Sequence, residues 1–301
     1  MKKRLAMMTA AMMVAGALAG CGSSSSTPAA TTAAATEAVT TAAATEAATD
    51  AATTEAAGDT AAAAEGTVKT PSGKFTVGFD QEFPPMGFVG DDGQFTGFDL
   101  DLAKEVASRL GLEFVPQPIN WDAKDMELDS GNIDCIWNGF TMQGREDAYT
   151  WVGPYMANNQ VFVVNADSDI ASKADLAGKA VEVQKDSSGL AALQSETELS
   201  ASFGSMTEVA DYNTALMDLE SGACDAVCMD SIVAGYQIKS SGKDMKILDD
   251  TLSAEEYGIG FKKGEDELAK AVYDTLMEMK DDGTVAKISN DWFGSDVFTL
   301  K

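Results

Sequence analysis

"LDSGNIDCIWNG" (residues 128–139) and "LESGACDAVCMD" (residues 219–230) say nearly the same thing 91 positions apart. Leu128, Ser130, Gly131 and Asp134 recur in register as Leu219, Ser221, Gly222 and Asp225, while Asp129 pairs with Glu220 and Ile136 with Val227. Helix–Gly–strand junctions share composition in many α/β proteins, so the repeat by itself leaves coincidence open. The alternative is two similar α/β units, each ending a strand at a functional rim.

The flanking segments favour two units. "KFTVGF" (74–79) alternates Phe75, Val77 and Phe79 as a strand does. "FDLDLAKEVASRLG" places Leu102, Val106 and Leu110 on one helical face, with Asp99 as the expected N-cap and Gly111 at the C-terminal stop. "EFVPQPI", "DCIWNG" and "QVFVV" read as short strands between helices or turns. The pattern then restarts with an "AVEVQ" strand, "LAALQSE" and "DYNTALMDLESG" helices, and a "CDAVCM" strand. Strands alternating with helices predict mostly parallel sheets, whose ligands lie beyond the carboxyl ends of the strands. Both copies of the repeat then deliver their last residues, Asn138–Gly139 and Met229–Asp230, to a rim.

Composition narrows the function. A net charge of −27 with 21 Lys and Arg argues against nucleic acid, whose phosphates need cationic partners. The absence of histidine removes Ser-His-Asp triads, Cys-His dyads and most zinc enzymes. The N-terminus "MKKRLAMMTAAMMVAGALAGC" has a basic start (Lys2, Lys3, Arg4) and an apolar run from Leu5 to Ala19, short for a membrane span and suited to a signal peptide. Its end, "LAGC", is similar to the lipobox of bacterial lipoproteins. That resemblance implies cleavage after residue 20 and acylation of Cys21, which anchors the chain to the extracytoplasmic face of the cell membrane. Removal of residues 1–20 takes the net charge from −27 to about −30. Residues 21–70 are Ala-, Thr-, Ser- and Glu-rich, with no aromatic residue before Phe75, and are expected to form a disordered tether.

Three other cysteines, Cys135, Cys224 and Cys228, remain. An odd number on an exported chain argues against a disulfide framework. Cys224 and Cys228, i and i+4 on one expected strand, are roughly 13 Å apart and too far to bridge. All three are expected to be buried small apolar residues, and no metal or cofactor is implied.

In order, "VGFDQEFPPMGF…GQFTGFDLDLAKEVASRLG", "GREDAYTWVGPY", "YGIGFKKGEDELAKAV" and "DGTVAKISNDWFG" resemble family 3 of the bacterial solute-binding proteins, the amino-acid receptors of ABC importers. The likeness runs from about Lys74 to Gly294. It implies a two-lobed, type II periplasmic-binding-protein-like α/β clamshell, joined by two hinge strands and closing on one amino acid. The hinge crossings would fall near Tyr155–Asn159 and Ala254–Gly258. The first lobe would then be 71–155 plus 258–301, and the second 159–254. A monomer that hands its amino acid to an ABC permease is expected.

An amino acid enclosed between lobes needs a partner for its carboxylate and another for its ammonium, because an unpaired buried charge costs several kcal/mol. Arg145, in "GFTMQGRED", matches the family's carboxylate-binding Arg, with Gly139 and Thr141 adding backbone and hydroxyl contacts. Without the resemblance, Arg145 reads as a surface residue among acids. The three residues between Thr141 and Arg145 are one fewer than relatives usually have. Asp230 matches the residue that receives the ammonium; taken alone, it would serve as well as a helix cap. In "VEVQKDSSG", Gln184, Ser187 and Ser188 match the second-lobe turn that donates to the carboxylate, with Asp186 in a place where relatives carry more glycine. Phe83 and Trp121 match aromatics that sandwich the ligand side chain, although core packing is the plainer role for such residues. Asp80 beside them favours a side chain with donors, such as Arg, Lys, ornithine or Gln, and Asn138 at the rim would complete the pocket. The same fold also carries enzymes, among them cyclodienyl-type dehydratases. A dehydratase acting on an arogenate-like amino acid is therefore the competing reading.

Overall fold

The computed structural model describes Thr70 and residues 72–301. The expected leader, Cys21 and the tether short of Thr70 lie outside the described residues. Strand β1 (Lys74–Phe79) buries Phe75, Val77 and Phe79. A small antiparallel sheet follows, formed by β2 (Glu82–Phe83), β3 (Gly87–Val89) and β4 (Phe95–Thr96). Helix α1 (Phe98–Leu110) leads to β5 (Glu113–Pro118), and α2 (Lys124–Ser130) leads to β6 (Cys135–Thr141). Both β5 and β6 lie parallel to β1, giving the order β5-β1-β6.

The long strand β7 (Thr150–Asn165) then carries the chain into a second unit. That unit comprises β8 (Ala180–Gln184), α3 (Ser188–Ser195), α4 (Thr197–Ser202), β9 (Ser205–Val209), α5 (Tyr212–Ser221) and β10 (Ala226–Asp230). Its parallel strands take the order β9-β8-β10, which repeats the arrangement of the first unit. Helix α6 (Ser231–Ser241), β11 (Met245–Ile247), β12 (Ser253–Phe261), α7 (Asp266–Asp281) and α8 (Thr284–Phe293) complete the described strands and α-helices. The third strand of each unit is flanked by an antiparallel neighbour, β6 by β12 and β10 by β7. Strands β7 and β12 also pair with each other, from Thr150 opposite Phe261 to Gln160 opposite Ser253. They are the two connecting strands, and the sheet is continuous through them.

The repeated sequence performs the same work in both units. Gly131 and Gly222 terminate α2 and α5 in the left-handed conformation, with φ of 77° and 78°, where glycine carries no Cβ penalty. The next residue reaches back in each case: Asn132 N–H donates to Glu127 O at 3.0 Å, and Ala223 N–H to Asp218 O at 2.8 Å. Ser130 Oγ–H donates to Glu127 O, as Ser221 Oγ–H does to Asp218 O. Asp134 accepts the backbone N–H of Thr76 at 2.6 Å, and Asp225 that of Ala180 at 2.8 Å. Each Asp thus fastens the third strand of its unit to the first. The coincidence reading of the repeat fails, because the shared Ser, Gly and Asp each have the same local role in both units.

Two sequence expectations need correcting. Asp99 is not the cap of α1: the cap position is Gly97, and Asp99 lies buried in the first turn. Its carboxylate accepts Gly139 N–H at 2.7 Å and Tyr155 O–H at 2.8 Å. Cys224 precedes β10 and is not on a strand with Cys228. Cys135, Cys224 and Cys228 are free and buried as expected.

Candidate functional site

The ends of β6, β8 and β10, together with β2 and the segment after β5, converge on a narrow cavity with only about 10 Å³ of free volume. It is lined by Phe83, Trp121, Gly139, Thr141, Arg145, Gln184, Ser187, Ser188 and Asp230. Nine of the eleven ligand-contact residues expected from sequence are therefore brought together. The cavity is small because the two units touch across it. Gln184 donates to Asp80 at 2.7 Å, Thr141 to Ser188 at 3.2 Å and Lys185 to Asp122 at 2.6 Å, while Lys124 pairs with Asp186 and Asn213 with Glu82.

Arg145 follows β6 in a turn closed by its own N–H to Met142 O at 2.9 Å. Its guanidinium donates to Thr141 O at 3.2 Å and Asp186 O at 3.4 Å, and lies 5.2 Å from the centre of the Phe140 ring. The short loop after Thr141 still delivers the guanidinium to the cavity. Asp186 adopts φ of 55°, a left-handed conformation that glycine takes most easily and Asp tolerates. This explains why an Asp can stand in a place that suits glycine. Ser187 caps α3 by accepting Leu190 N–H at 3.1 Å, so its hydroxyl has a structural task as well as a place in the lining.

Asp230 does not cap α6 with its side chain. It accepts hydrogen bonds from Asn158 Nδ2 and Tyr257 O–H, each at 2.7 Å, and from Tyr212 O–H at 3.0 Å. Burial first, and then the neighbouring Glu255 carboxylate, push Asp230 up to about 7. No ion pair among the described residues involves Asp230 or Glu255. A buried, hydrogen-bonded carboxyl pair without a cation is suited to an incoming cationic group.

Phe83 and Trp121 combine the two roles open to them in sequence. Phe83 packs against Tyr212 with ring centres 5.8 Å apart, and Trp121 meets Phe140 edge-on at 5.5 Å, yet both line the cavity. Asp80 and Asn138 stand apart from the lining. Asp80 is buried, accepts Glu82 N–H at 2.9 Å as well as the Gln184 amide, and is raised to about 6, chiefly by burial. It borders a larger groove at the mouth of the cleft, with Trp121, Asp122, Glu82 and Asp211 among its neighbours. Asn138 is a support, because its Oδ1 accepts Asp80 N–H at 3.1 Å. Gln184 points to Asp80 and to Ala210 O, so its amide is already engaged and is not free for the carboxylate its sequence match implied.

Sequence reasoning missed the polar part of the two connecting strands. Asn158 and Gln160 on β7, with Glu255 on β12, are buried and joined to Asp230 and Ser188. The signal was present as "NNQ" in an otherwise apolar strand and "AEEYG" in the other. Among the described residues no group of three or more side chains is arranged to hold a metal, and no helix is long and apolar enough to cross a membrane.

The sequence profile of the bacterial extracellular solute-binding proteins, family 3, matches residues 75–295. The L-cystine-binding protein TcyJ of Escherichia coli (strain K12) is 33% identical over 231 residues, covering 75% of this chain and 84% of that protein. The L-cystine-binding protein TcyA of Bacillus subtilis (strain 168) is 32% identical over 229 residues, covering 75% and 83%. Among solved structures, a substrate-binding protein of an ABC uptake transporter from Streptococcus pneumoniae, with bound histidine, superposes with a TM-score of 0.74. It is 34% identical, covering 76% of this chain and 96% of that one.

Proposed function

The chain belongs to family 3 of the bacterial extracellular solute-binding proteins, and from that premise we propose that it captures a polar L-amino acid, basic or amide in its side chain, and delivers it to an ABC permease. The supporting observation is the pairing of Arg145 and Asp230 on one small cavity, a cation from the first unit and a carboxylate from the second. Arg145, with Thr141, Ser187 and Ser188, takes the ligand carboxylate, since a guanidinium fork matches two carboxylate oxygens; Gly139 does not share this task as its sequence match implied, because its N–H is already given to Asp99. Asp230 takes the ammonium. Phe83 and Trp121 flank the side chain, and Asp80, presented through Gln184 and held by Asn138, receives its distal donors. In this reading the lobes are 71–155 with 258–301 and 159–254, and close as a monomer about β7 and β12. Acylated Cys21 tethers them to the extracytoplasmic face of the membrane.

Cystine is a second reading. Two relatives are L-cystine-binding proteins, and the far ammonium of cystine would also suit Asp80. Calorimetry against the twenty amino acids, ornithine, citrulline and cystine tests both. Tightest binding of Glu, Asp or an aliphatic amino acid would overturn the assignment of Asp80, and binding of none would overturn the function.

A further inference from the structure

The charges around Asp230 do not balance. Asn158 Nδ2 donates to Asp230 Oδ1 and to Glu255 Oε1, at 2.7 Å each, so one neutral amide bridges two buried carboxylates. The amide cannot turn over, because its Oδ1 accepts Ser231 Oγ–H at 3.0 Å and Ile232 N–H at 3.3 Å. Gln160 Nε2 also donates to Glu255, at 3.0 Å, and Tyr212 and Tyr257 donate to Asp230. Burial raises both tyrosines and the adjacent Cys228 thiol well above their ordinary range, so all three stay neutral. Of the charged groups nearby, Glu196 adds negative charge to the recess that Glu255 borders, and Arg145 borders it too but turns its guanidinium to the carbonyls of Thr141 and Asp186. Two carboxylates that share a buried site without a cation do not both ionise easily.

We infer that Asp230 and Glu255 hold one proton between them in the ligand-free protein, and that the ammonium group of an incoming amino acid displaces it. The displacement rests on the assignment of Asp230 to the ligand ammonium; the shared proton does not. On binding, the carboxyl O–H ionises, the proton leaves to solvent, and the ammonium takes its place as the positive partner. Glu255 is then a positioning residue with a second effect: it makes amino-acid capture proton-linked. The sign follows from linkage. The ligand binds the deprotonated pair, so affinity is full above about pH 7, where Asp230 titrates, and falls nearly tenfold per pH unit below it.

Two measurements on the purified protein decide the matter. Carbon-13 NMR of the ligand-free protein should show the Asp230 carboxyl titrating near 7, and Glu255→Gln should lower it, leaving the part of the shift that burial causes. Calorimetry with L-arginine in buffers of different ionisation enthalpy should show proton release near pH 6.5. Affinity should be roughly thirty-fold weaker at pH 5.5 than at pH 8.5, with a smaller difference in Glu255→Gln. An ordinary titration of Asp230 in the wild type, which requires no variant to fold, overturns the proposal. So does an unshifted Asp230 in Glu255→Gln, or L-arginine binding without proton release. If L-arginine does not bind, the basic-ligand reading fails while the NMR titration still decides the proton.

Discussion

Replacing Asp230 by Asn is the sharpest test of the site, because it removes a charge and almost no volume. The Asn carbonyl can still accept the two bonds that now reach Asp230 Oδ1, from Asn158 and Tyr257. The new amide faces Tyr212 O–H, which can rotate to accept from it. Asn at 230 also needs no proton shared with Glu255, so stability should change by no more than about 1 kcal/mol. Binding should change far more. A buried ammonium left without its carboxylate costs roughly 2–5 kcal/mol, or about thirty- to five-thousand-fold in Kd. The assay is isothermal calorimetry with the tightest-binding amino acid, beside a urea unfolding curve for each protein. Asp91→Asn, on the exposed turn after β3, serves as the control and should bind as wild type does. An Asp230→Asn protein that binds within threefold of wild type would refute the assignment of the ammonium to this carboxylate.

Arg145→Ala should lose affinity on the same scale while leaving the unfolding midpoint nearly unchanged, since the guanidinium makes two long bonds to carbonyls and no ion pair; unaltered binding by calorimetry would show that the carboxylate is held elsewhere. Asp134→Ala strips the acceptor from Thr76 N–H in a half-buried place and should cost about 1–3 kcal/mol by urea denaturation. Asp225→Ala, at the more exposed counterpart, should cost less. The reverse order would contradict the equivalence of the two units. Asp80 and Asp99 are raised to about 6 and about 7, mainly by burial. The folded state therefore holds more protons than the unfolded chain between about pH 4 and 7, and stability falls as pH rises through that window. The ligand-free protein should melt at a higher temperature at pH 5 than at pH 8, and the opposite slope would count against those burial assignments.

What was legible in the sequence was what local rules determine. Alternation in "KFTVGF", the helix stops at Gly111, Gly131 and Gly222, and the order of strands and helices all follow from period and turn chemistry. Strand β9 gave no comparable signal, because Ser205–Val209 is an edge strand whose residues are mostly exposed. Asp99 illustrates a different limit. An Asp at the start of a helix reads as a cap, and only tertiary structure shows that it faces inward to hold Gly139 and Tyr155. The polar residues of the connecting strands escaped for the same reason. Asn158, Gln160 and Glu255 look like solvent-facing residues of β-strands until strand pairing buries them beside Asp230.

The repeat explains why the two units can share a scaffold and still present opposite chemistry. Leu, Ser, Gly and Asp end the helix, turn the chain and fasten the third strand to the first, so they place the strand end and say nothing about what it carries. Continued in register, the repeat sets Gly139 against Asp230. Gly139 has φ of 56°, and a Cβ there would lie 2.8 Å from the Phe83 ring and 3.2 Å from Tyr257. A side chain is excluded from this strand end by shape, and its backbone N–H is held by Asp99. The matching position in the second unit has room for a carboxylate and three donors to hold it. One strand end is therefore bare backbone leading to a cation, and the other is an anion. In the proposed function, a zwitterion would meet these two ends on one shared framework, and it is this one pair of positions that sets their charges apart.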